Sequence, residues 1–204
     1  MSRNRPTNAN QLLVVRCQLG ETSAFDELVE RWHGRLWSYL RRLTADGEQA
    51  EEALQETWLR VLRGLPRLRD GRCLATWMHR IARNVVMDRL RAEYARPATC
   101  ELDPERLESE PTLTSLEIDL AALRRGLTSL PLPERDVLTL FYVQELSLAE
   151  TAEVLEIPVG TVKSRLFRAR GLLRQTMRSA PEGADDERAA PQRNPVSQPT
   201  GYGR

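Results

Sequence analysis

The chain has 204 residues, of which 41% are hydrophobic and 29% charged, a composition typical of one or two small domains with helical surfaces. Its 30 basic and 29 acidic residues give a formal net charge of +1, which excludes a uniformly basic or acidic protein. Three separated cysteines without a CxxC pair, together with two histidines, predict no structural metal site.

The sequence also contains no candidate membrane anchor or signal peptide. No stretch approaches the roughly 18 apolar residues of a membrane span. The N-terminal segment lacks the apolar run of a secretion signal. Scattered cysteines are typical of the reducing cytosol. We therefore expect a soluble cytoplasmic protein without membrane insertion.

Apolar residues at helical spacing predict three amphipathic helices in the first half of the chain. The first spans residues 24–43, and TADG at 44–47 ends it. The second spans residues 48–65, with acidic residues in its first turns, where the helix dipole favours them. A loop at 66–73 precedes the third helix, at 74–95. The core positions predicted on the first two helices are Phe25, Leu28, Val29, Trp32, Leu36, Leu40, Leu54, Trp58, Val61, Leu62 and Leu65.

Two segments lack helical periodicity, one between two helical regions and one at the C-terminal end of the sequence. Residues 96–115 hold three prolines, and residues 101–110 hold five acids and one arginine. This composition predicts a flexible acidic linker between a domain at 11–95 and a second domain at 116–178. Residues 179–204 are rich in Pro, Gly and polar residues and are predicted to form a disordered tail. Because strand patterns are scarce, the predicted fold class is all-α, with two small helical domains.

The second domain ends in a predicted helix-turn-helix. A helix at 116–130 is followed by one that starts at Pro133 and Glu134, a helix-start signal. Ser147 and Glu150 then form a capping box for a helix at Leu148–Leu155. After a turn at Glu156–Pro158, the last helix extends from Val159 to Met177. Ala152 is small at the point where these last two helices would cross.

The last helix concentrates positive charge. No acidic residue occurs between Ile157 and Pro181, whereas Lys163, Arg165, Arg168, Arg170, Arg174 and Arg178 do. Its predicted buried stripe is Val159, Val162, Leu166, Ala169, Leu173 and Met177. A basic helix by itself is compatible with a solvated surface. The second helix of a helix-turn-helix, however, enters the major groove of DNA, and this context favours contact with a polyanion.

Two long motifs resemble the extracytoplasmic-function (ECF) sigma factors of the sigma-70 family. The stretch AEEALQETWLRVLRGLPRLRDGRCLATWMHRIARNVVMDRLR resembles region 2 of that family, and LPERDVLTLFYVQELSLAETAEVLEIPVGTVKSRLFRARGLLR resembles region 4. The resemblance covers about residues 11–95 and 116–178. It implies a non-enzymatic sigma factor that binds core RNA polymerase and promoter DNA. It also implies that region 2 recognises and melts the −10 element, that region 4 reads the −35 element, and that an anti-sigma factor controls the protein. No cofactor or small-molecule substrate is implied.

The resemblance assigns candidate residues to three contacts. For core polymerase they are Gln55, Glu56, Leu59 and Arg60. For the −10 element they are Leu68, Arg69, Arg80, Asn84 and Arg91. For the −35 element they are Thr161, Lys163, Ser164, Arg165 and Arg168. Trp58 and Trp77 also match the motifs, but helical spacing favours core roles for both. Asn84 is compatible either with a base contact or with a solvated helix surface.

The sequence departs from the family pattern at four positions. Thr151 stands where an apolar residue is common. Glu156 stands where a glycine often begins the turn, but this departure is not disabling, since such a turn does not always need a positive φ. Leu68 and Leu74 occupy positions that are often Phe, so this loop is less aromatic than in the family pattern.

Two other classes of function remain as alternatives. A stand-alone helix-turn-helix regulator would usually dimerise, but it would leave the first domain unexplained. An enzyme would need a catalytic constellation, and G-x-S-x-G, P-loop and HExxH motifs are absent. His33 and His79 lie in predicted helices without evident partners.

Overall fold

A computed structural model describes residues 8–95 and 126–179, and every regular element in these ranges is helical. The long helices of the N-terminal bundle are α1 (Asn8–Gln18), α2 (Thr22–Leu43), α3 (Gly47–Gly64) and α4 (Leu74–Ala95). The C-terminal part contains the end of a helix at 126–128, then α5 (Leu132–Leu138), α6 (Leu148–Leu155) and α7 (Val159–Ser179). The all-α prediction is therefore confirmed.

The N-terminal bundle follows the amphipathic pattern of its sequence. Leu28, Trp32, Leu36 and Leu40 are buried on α2, as the spacing predicts. Asp46 caps α3 by accepting a hydrogen bond from the Gln49 backbone N–H over 2.8 Å. Leu62 is an exception among the predicted core positions, because 47% of it is exposed.

The connection from α3 to α4 is more ordered than the predicted loop. It consists of two 3₁₀ turns, at Leu65–Arg67 and Gly71–Cys73. Asp70 caps the second turn by accepting a hydrogen bond from the Arg72 backbone N–H over 2.9 Å. Helix α4 then begins at Leu74 and ends at Ala95, as predicted.

The C-terminal helices also largely follow their start signals. Helix α5 begins one residue before Pro133 and continues into a π-helix at Thr139–Val143, where the Gln144 backbone N–H bonds to the Thr139 carbonyl over 2.9 Å. The capping box of α6 is present, since Ser147 and Glu150 exchange both hydrogen bonds. The predicted helix at 116–130 lies mostly outside the described residues, as do the linker at 96–115 and the segment 180–204.

The helix-turn-helix contains a left-handed residue in its turn, and one of its predicted core positions is exposed. Glu156 ends α6 in the left-handed region, at φ 55° and ψ 43°. The turn is short, and the left-handed residue redirects the chain into α7. Val159 was predicted to be buried, but it is 40% exposed because it lies in the first turn, outside the helix crossing.

The two parts of the chain pack against each other through α2 and α4 on one side and the α5–α6 segment on the other. Their buried apolar residues form one continuous core. Polar residues are buried at the junction as well, including Asp136 and Gln144. None of the helices in ranges 8–95 and 126–179 is long and apolar enough to cross a bilayer. In the same ranges, no three His, Cys, Asp or Glu residues are grouped as metal ligands.

Candidate nucleic-acid interface

Helix α7 separates a buried face from a polar, cationic one. Val162, Leu166 and Ala169 are at most 4% exposed and fix the helix on the core. The five residues predicted to read the −35 element all reach solvent: Lys163, Ser164 and Arg168 are exposed, and Thr161 and Arg165 are half-buried. The structure therefore places this predicted set on the outer side of one helix, as groove reading requires.

Sequence reasoning did not single out Phe167. This residue is 77% exposed and lies between Leu166 and Arg168 on α7. Helical spacing could have identified this residue, because Phe167 falls outside the apolar stripe of α7. A phenyl group on this surface offers apolar contact to a thymine methyl group in the major groove.

Carboxylates of α5 lie behind the cationic face of α7. Glu134 is 5% exposed and accepts a hydrogen bond from Arg168 Nη1 over 3.1 Å. Asp136 is 2% exposed. Burial raises the pKa of Asp136 above its usual range, whereas the charges of Arg83 and Arg165 act in the opposite direction.

The loop between α3 and α4, which carries the −10 candidates Leu68 and Arg69, forms one wall of a cleft of about 350 Å³. Helix α1 forms the other wall, and the lining includes Leu12, Val15, Leu68, Arg69 and Gly71. A Cβ atom on Gly71 would lie 2.7 Å from the Gln11 Cα, so glycine permits the close approach of loop and helix. The sequence analysis missed the participation of α1.

The loop is held in place by hydrogen bonds. Gln18 Nε2 donates to the backbone oxygens of Leu65 and Leu68, over 2.9 and 2.8 Å. Arg72 donates to both carboxylate oxygens of Asp70, and these bonds lower the pKa of Asp70. Leu68 is half-buried against the core, and Arg69 is exposed beside it.

The other three −10 candidates lie on α4 in different surroundings. Asn84 is exposed. Arg91 is exposed and paired with Asp88 over 2.9 Å. Arg80 turns instead toward the C-terminal helices, where its Nη2 lies 3.2 Å from a carboxylate oxygen of Glu153 on α6. The structure therefore leaves Asn84 accessible but places Arg80 under another helix.

The polymerase candidates form a surface on α3. Gln55 is exposed and Leu59 is 47% exposed. Arg60 bridges Glu56 and Asp88, each over 2.9 Å, and these hydrogen bonds raise the pKa of Arg60. Trp58 packs partly buried against the core, which agrees with the core role favoured by its spacing.

His79 has partners that its sequence context did not reveal. The ring is 1% exposed, its Nδ1 donates to the Ala75 carbonyl over 2.8 Å, and its Nε2 lies 3.2 Å from the side-chain oxygen of Gln144. Burial lowers the pKa of His79. This residue is a core histidine.

Comparison with protein families matches one family model to each of the two helical parts. Residues 28–96 match the family model "Sigma-70 region 2", and residues 120–173 match "Sigma-70, region 4". The RNA polymerase sigma-H factor of Pseudomonas aeruginosa is 33% identical over 173 residues, covering 79% of this chain and 90% of that protein. The ECF RNA polymerase sigma factor SigW of Bacillus subtilis is 31% identical over 178 residues, covering 81% and 95%.

Two solved structures share the fold. One is CnrH in complex with the cytosolic domain of CnrY, with a TM-score of 0.66 and 22% identity over 85% of this chain and 100% of that one. The other is the sigma factor RpoE of Bartonella quintana with the anti-sigma factor NepR, with a TM-score of 0.60 and 20% identity over 77% and 98%. The helical parts thus define a sigma factor of the sigma-70 class. The chain belongs to the extracytoplasmic-function group of that family.

Proposed function

We propose that this sigma factor binds core RNA polymerase through α3, reads the −10 element with α4 and its preceding loop, and reads the −35 element with α7. The observation that carries the proposal is α7 itself. Its buried stripe fixes it as the second helix of a helix-turn-helix, and Lys163, Ser164 and Arg168 face outward. Such side chains bind phosphates and guanine edges, and small neighbours allow close approach to the groove.

The polymerase contact is supported by the outer face of α3. Gln55, Leu59 and Leu62 follow one another at helical spacing, and both leucines are 47% exposed. Apolar groups beside polar ones are typical of protein interfaces. The face therefore has the composition of a docking surface for a protein partner.

We further propose that the protein works in the cytoplasm, has no catalytic activity of its own and is held inactive by an anti-sigma protein. Relatives of this fold were solved with the cytosolic domain of CnrY and with the anti-sigma factor NepR. A partner of that kind would cover the exposed faces of α3 and α7. Pull-down from stressed and unstressed cells tests this part, and recovery of polymerase alone under every condition would contradict it.

Run-off transcription with core polymerase and a library of genomic promoters tests the main proposal. We expect discrete transcripts from templates that share −10 and −35 motifs. Leu59→Glu should abolish core binding, whereas Leu19→Glu, at an 81% exposed position in the turn after α1, serves as the control. Arg168→Ala and Asn84→Ala should reduce transcripts while core binding persists.

The competing function is that of a stand-alone DNA-binding regulator. It predicts no transcript with competent polymerase and tight, specific binding to duplex DNA by the chain alone. That pair of results would replace the proposal.

A further inference from the structure

A carboxylate lies on the side of α4 that we assign to the −10 element. Arg80, Asn84, Asp88 and Arg91 follow one another at intervals of four, four and three residues, so they share one side of the helix. Asp88 carries a negative charge, whereas the other three residues are −10 candidates. A carboxylate beside a DNA backbone repels the phosphates and opposes binding unless its charge is neutralised.

Two arginines neutralise Asp88. Its Oδ2 accepts a hydrogen bond from Arg60 Nη1 of α3, and its Oδ1 accepts one from Arg91 Nη1, both over 2.9 Å. Asp88 therefore has one partner on the neighbouring helix and one on the DNA-binding side of its own helix. Because two positive charges face one negative charge, this group keeps a net positive charge toward DNA.

Arg60 is directed toward α4 by this contact. The residue is half-buried, whereas Gln55 of the same helix is exposed. Arg60 Nε also donates to Glu56 over 2.9 Å, so Glu56, Arg60, Asp88 and Arg91 form a chain of alternating charges from α3 to α4. Single exposed ion pairs contribute little, but a network of several charges holds its members in place more firmly.

Removal of Arg60 would act on the −10 face in two ways that have the same sign. Asp88 would become a less neutralised charge beside the DNA strand. It would also hold Arg91 more strongly, and a carboxylate competes with a phosphate for the same guanidinium donors. Both effects weaken −10 binding without any contact between Arg60 and the strand.

We propose that Arg60 and Asp88 are positioning residues of the −10 site. Arg60 neutralises Asp88, and Arg91 can then exchange Asp88 for the DNA backbone. Arg60, which the family resemblance assigns to core polymerase, thereby has a second role in promoter binding. The inference rests on the proposed function, because it takes α4 as the −10-reading helix and Arg91 as a contact residue.

Promoter binding by the holoenzyme tests the inference. Each variant is mixed with core polymerase at a concentration shown to saturate it, and a fluorescent promoter found by run-off transcription is titrated. Arg60→Ala should weaken promoter binding about 2- to 5-fold, the range expected for a partly exposed ion pair. Adding Asp88→Asn to Arg60→Ala should restore the affinity, because it removes the carboxylate that Arg60 neutralises.

Glu52 provides the matched control for that rescue. It also lies on α3 and accepts a hydrogen bond from an arginine of α4, Arg89, over 2.6 Å. Arg89 follows Asp88 directly and therefore lies on another side of the helix. Glu52→Gln removes the same charge as Asp88→Asn, so it measures the general effect of charge on DNA affinity. In the Arg60→Ala background, Glu52→Gln should restore less affinity than Asp88→Asn does.

The salt dependence of promoter binding provides a readout that a purely structural role of Arg60 would not change. If Arg91 loses a phosphate contact, the slope of log affinity against log salt should flatten by about 0.7 to 0.9. Arg60→Ala and Arg91→Ala should each flatten the slope by this amount. The double variant should flatten it no further, because both substitutions remove the same contact.

The outcomes separate the inference from the function on which it rests. Unchanged promoter affinity in Arg60→Ala, or equal rescue by Glu52→Gln and Asp88→Asn, would overturn the positioning role and leave the proposed function standing. If no promoter is transcribed, or if Asn84→Ala and Arg91→Ala both leave promoter binding unchanged, the proposed −10 site is wrong and the positioning role with it.

Discussion

The guanidinium of Arg168 donates a hydrogen bond to Glu134 over 3.1 Å, although the Glu134 side chain is 6% exposed and that of Arg168 is 68% exposed. One end of the pair is therefore inside the domain and the other on the face that we assign to DNA. Glu134 lies in the first turn of α5, where the helix dipole also favours its negative charge. The pair couples the orientation of a DNA-reading side chain to the packing of α5 and α7.

Replacing Arg168 should affect both DNA binding and stability. Arg168→Ala should weaken binding to a −35 duplex by about 1–3 kcal/mol if the side chain contacts a base. It should also lower the free energy of unfolding by about 1–3 kcal/mol, because Glu134 is left buried without its partner. Titration of DNA and thermal melting measure the two effects. Arg170→Ala is the control, since Arg170 is exposed on the same helix.

The double variant separates the two effects of that substitution. Glu134→Gln in the Arg168→Ala background removes the unpaired charge, so the melting temperature should recover while DNA affinity stays low. Recovery of both quantities would contradict a direct DNA contact by Arg168.

Thr151 carries an unsatisfied hydroxyl in the core. The residue is 0% exposed, and its Oγ1 has no hydrogen-bond partner. Thr151→Val keeps the shape and removes the desolvated group, so it should raise the free energy of unfolding by about 1 kcal/mol. Thr57→Val is a matched control, because Thr57 is equally buried but donates to the Ala53 carbonyl over 2.7 Å. A loss of stability at Thr151 equal to that at Thr57 would contradict the prediction.

The left-handed conformation of Glu156 costs stability that glycine would restore. A non-glycine residue in this region is strained by about 1–2 kcal/mol. Glu156→Gly should therefore raise the melting temperature by a few degrees, and Glu156→Asn should raise it less. Calorimetry on the purified variants measures the shift. Glu156→Ala is the control that removes the side chain without relieving φ, and a rise as large as that of glycine would argue against strain.

Burial of His79 makes stability depend on pH. Burial lowers the pKa of His79 in the folded protein, so the unfolded chain takes up a proton at a higher pH than the folded chain does. The contribution of neutral His79 to the free energy of unfolding is fully present above the pKa of a histidine in the unfolded chain, about 6.5. It is lost as the pH falls below that value, because protonation favours the unfolded chain. The melting temperature should therefore fall between pH 7.5 and 5.5 and fall less in His79→Gln.

A second histidine provides the control for that experiment. His33 is exposed on α2, so His33→Gln is the matched substitution against which His79→Gln is compared. Asp136, whose pKa is raised by burial, is present in all three proteins, so differences between them isolate the imidazole. If the melting temperature fell equally steeply with pH in His79→Gln and in the parent protein, the pH dependence would not arise from His79.

Helices α2 to α7 could be predicted because their signals are local, whereas α1 was not among the predicted helices. The spacing of Leu28, Trp32 and Leu36 within α2 and the capping box of Ser147 and Glu150 involve residues within one or two helical turns. The same local phase placed Lys163 and Arg168 on the outer side of α7. For the candidate site, the sequence therefore identified which residues face outward on single helices.

The sequence by itself determined α2 to α7, most of their buried positions and the concentration of charge on α7, since hydrophobic periodicity and capping act within one segment. The tertiary structure alone decided which polar groups meet across the junction. Tyr39 and Asp136 are 97 positions apart, and His79 and Gln144 are 65 apart. No periodicity links residues so distant. Their hydrogen bonds arise only when α2 and α4 pack against the α5–α6 segment, and burial there requires each polar group to find a partner.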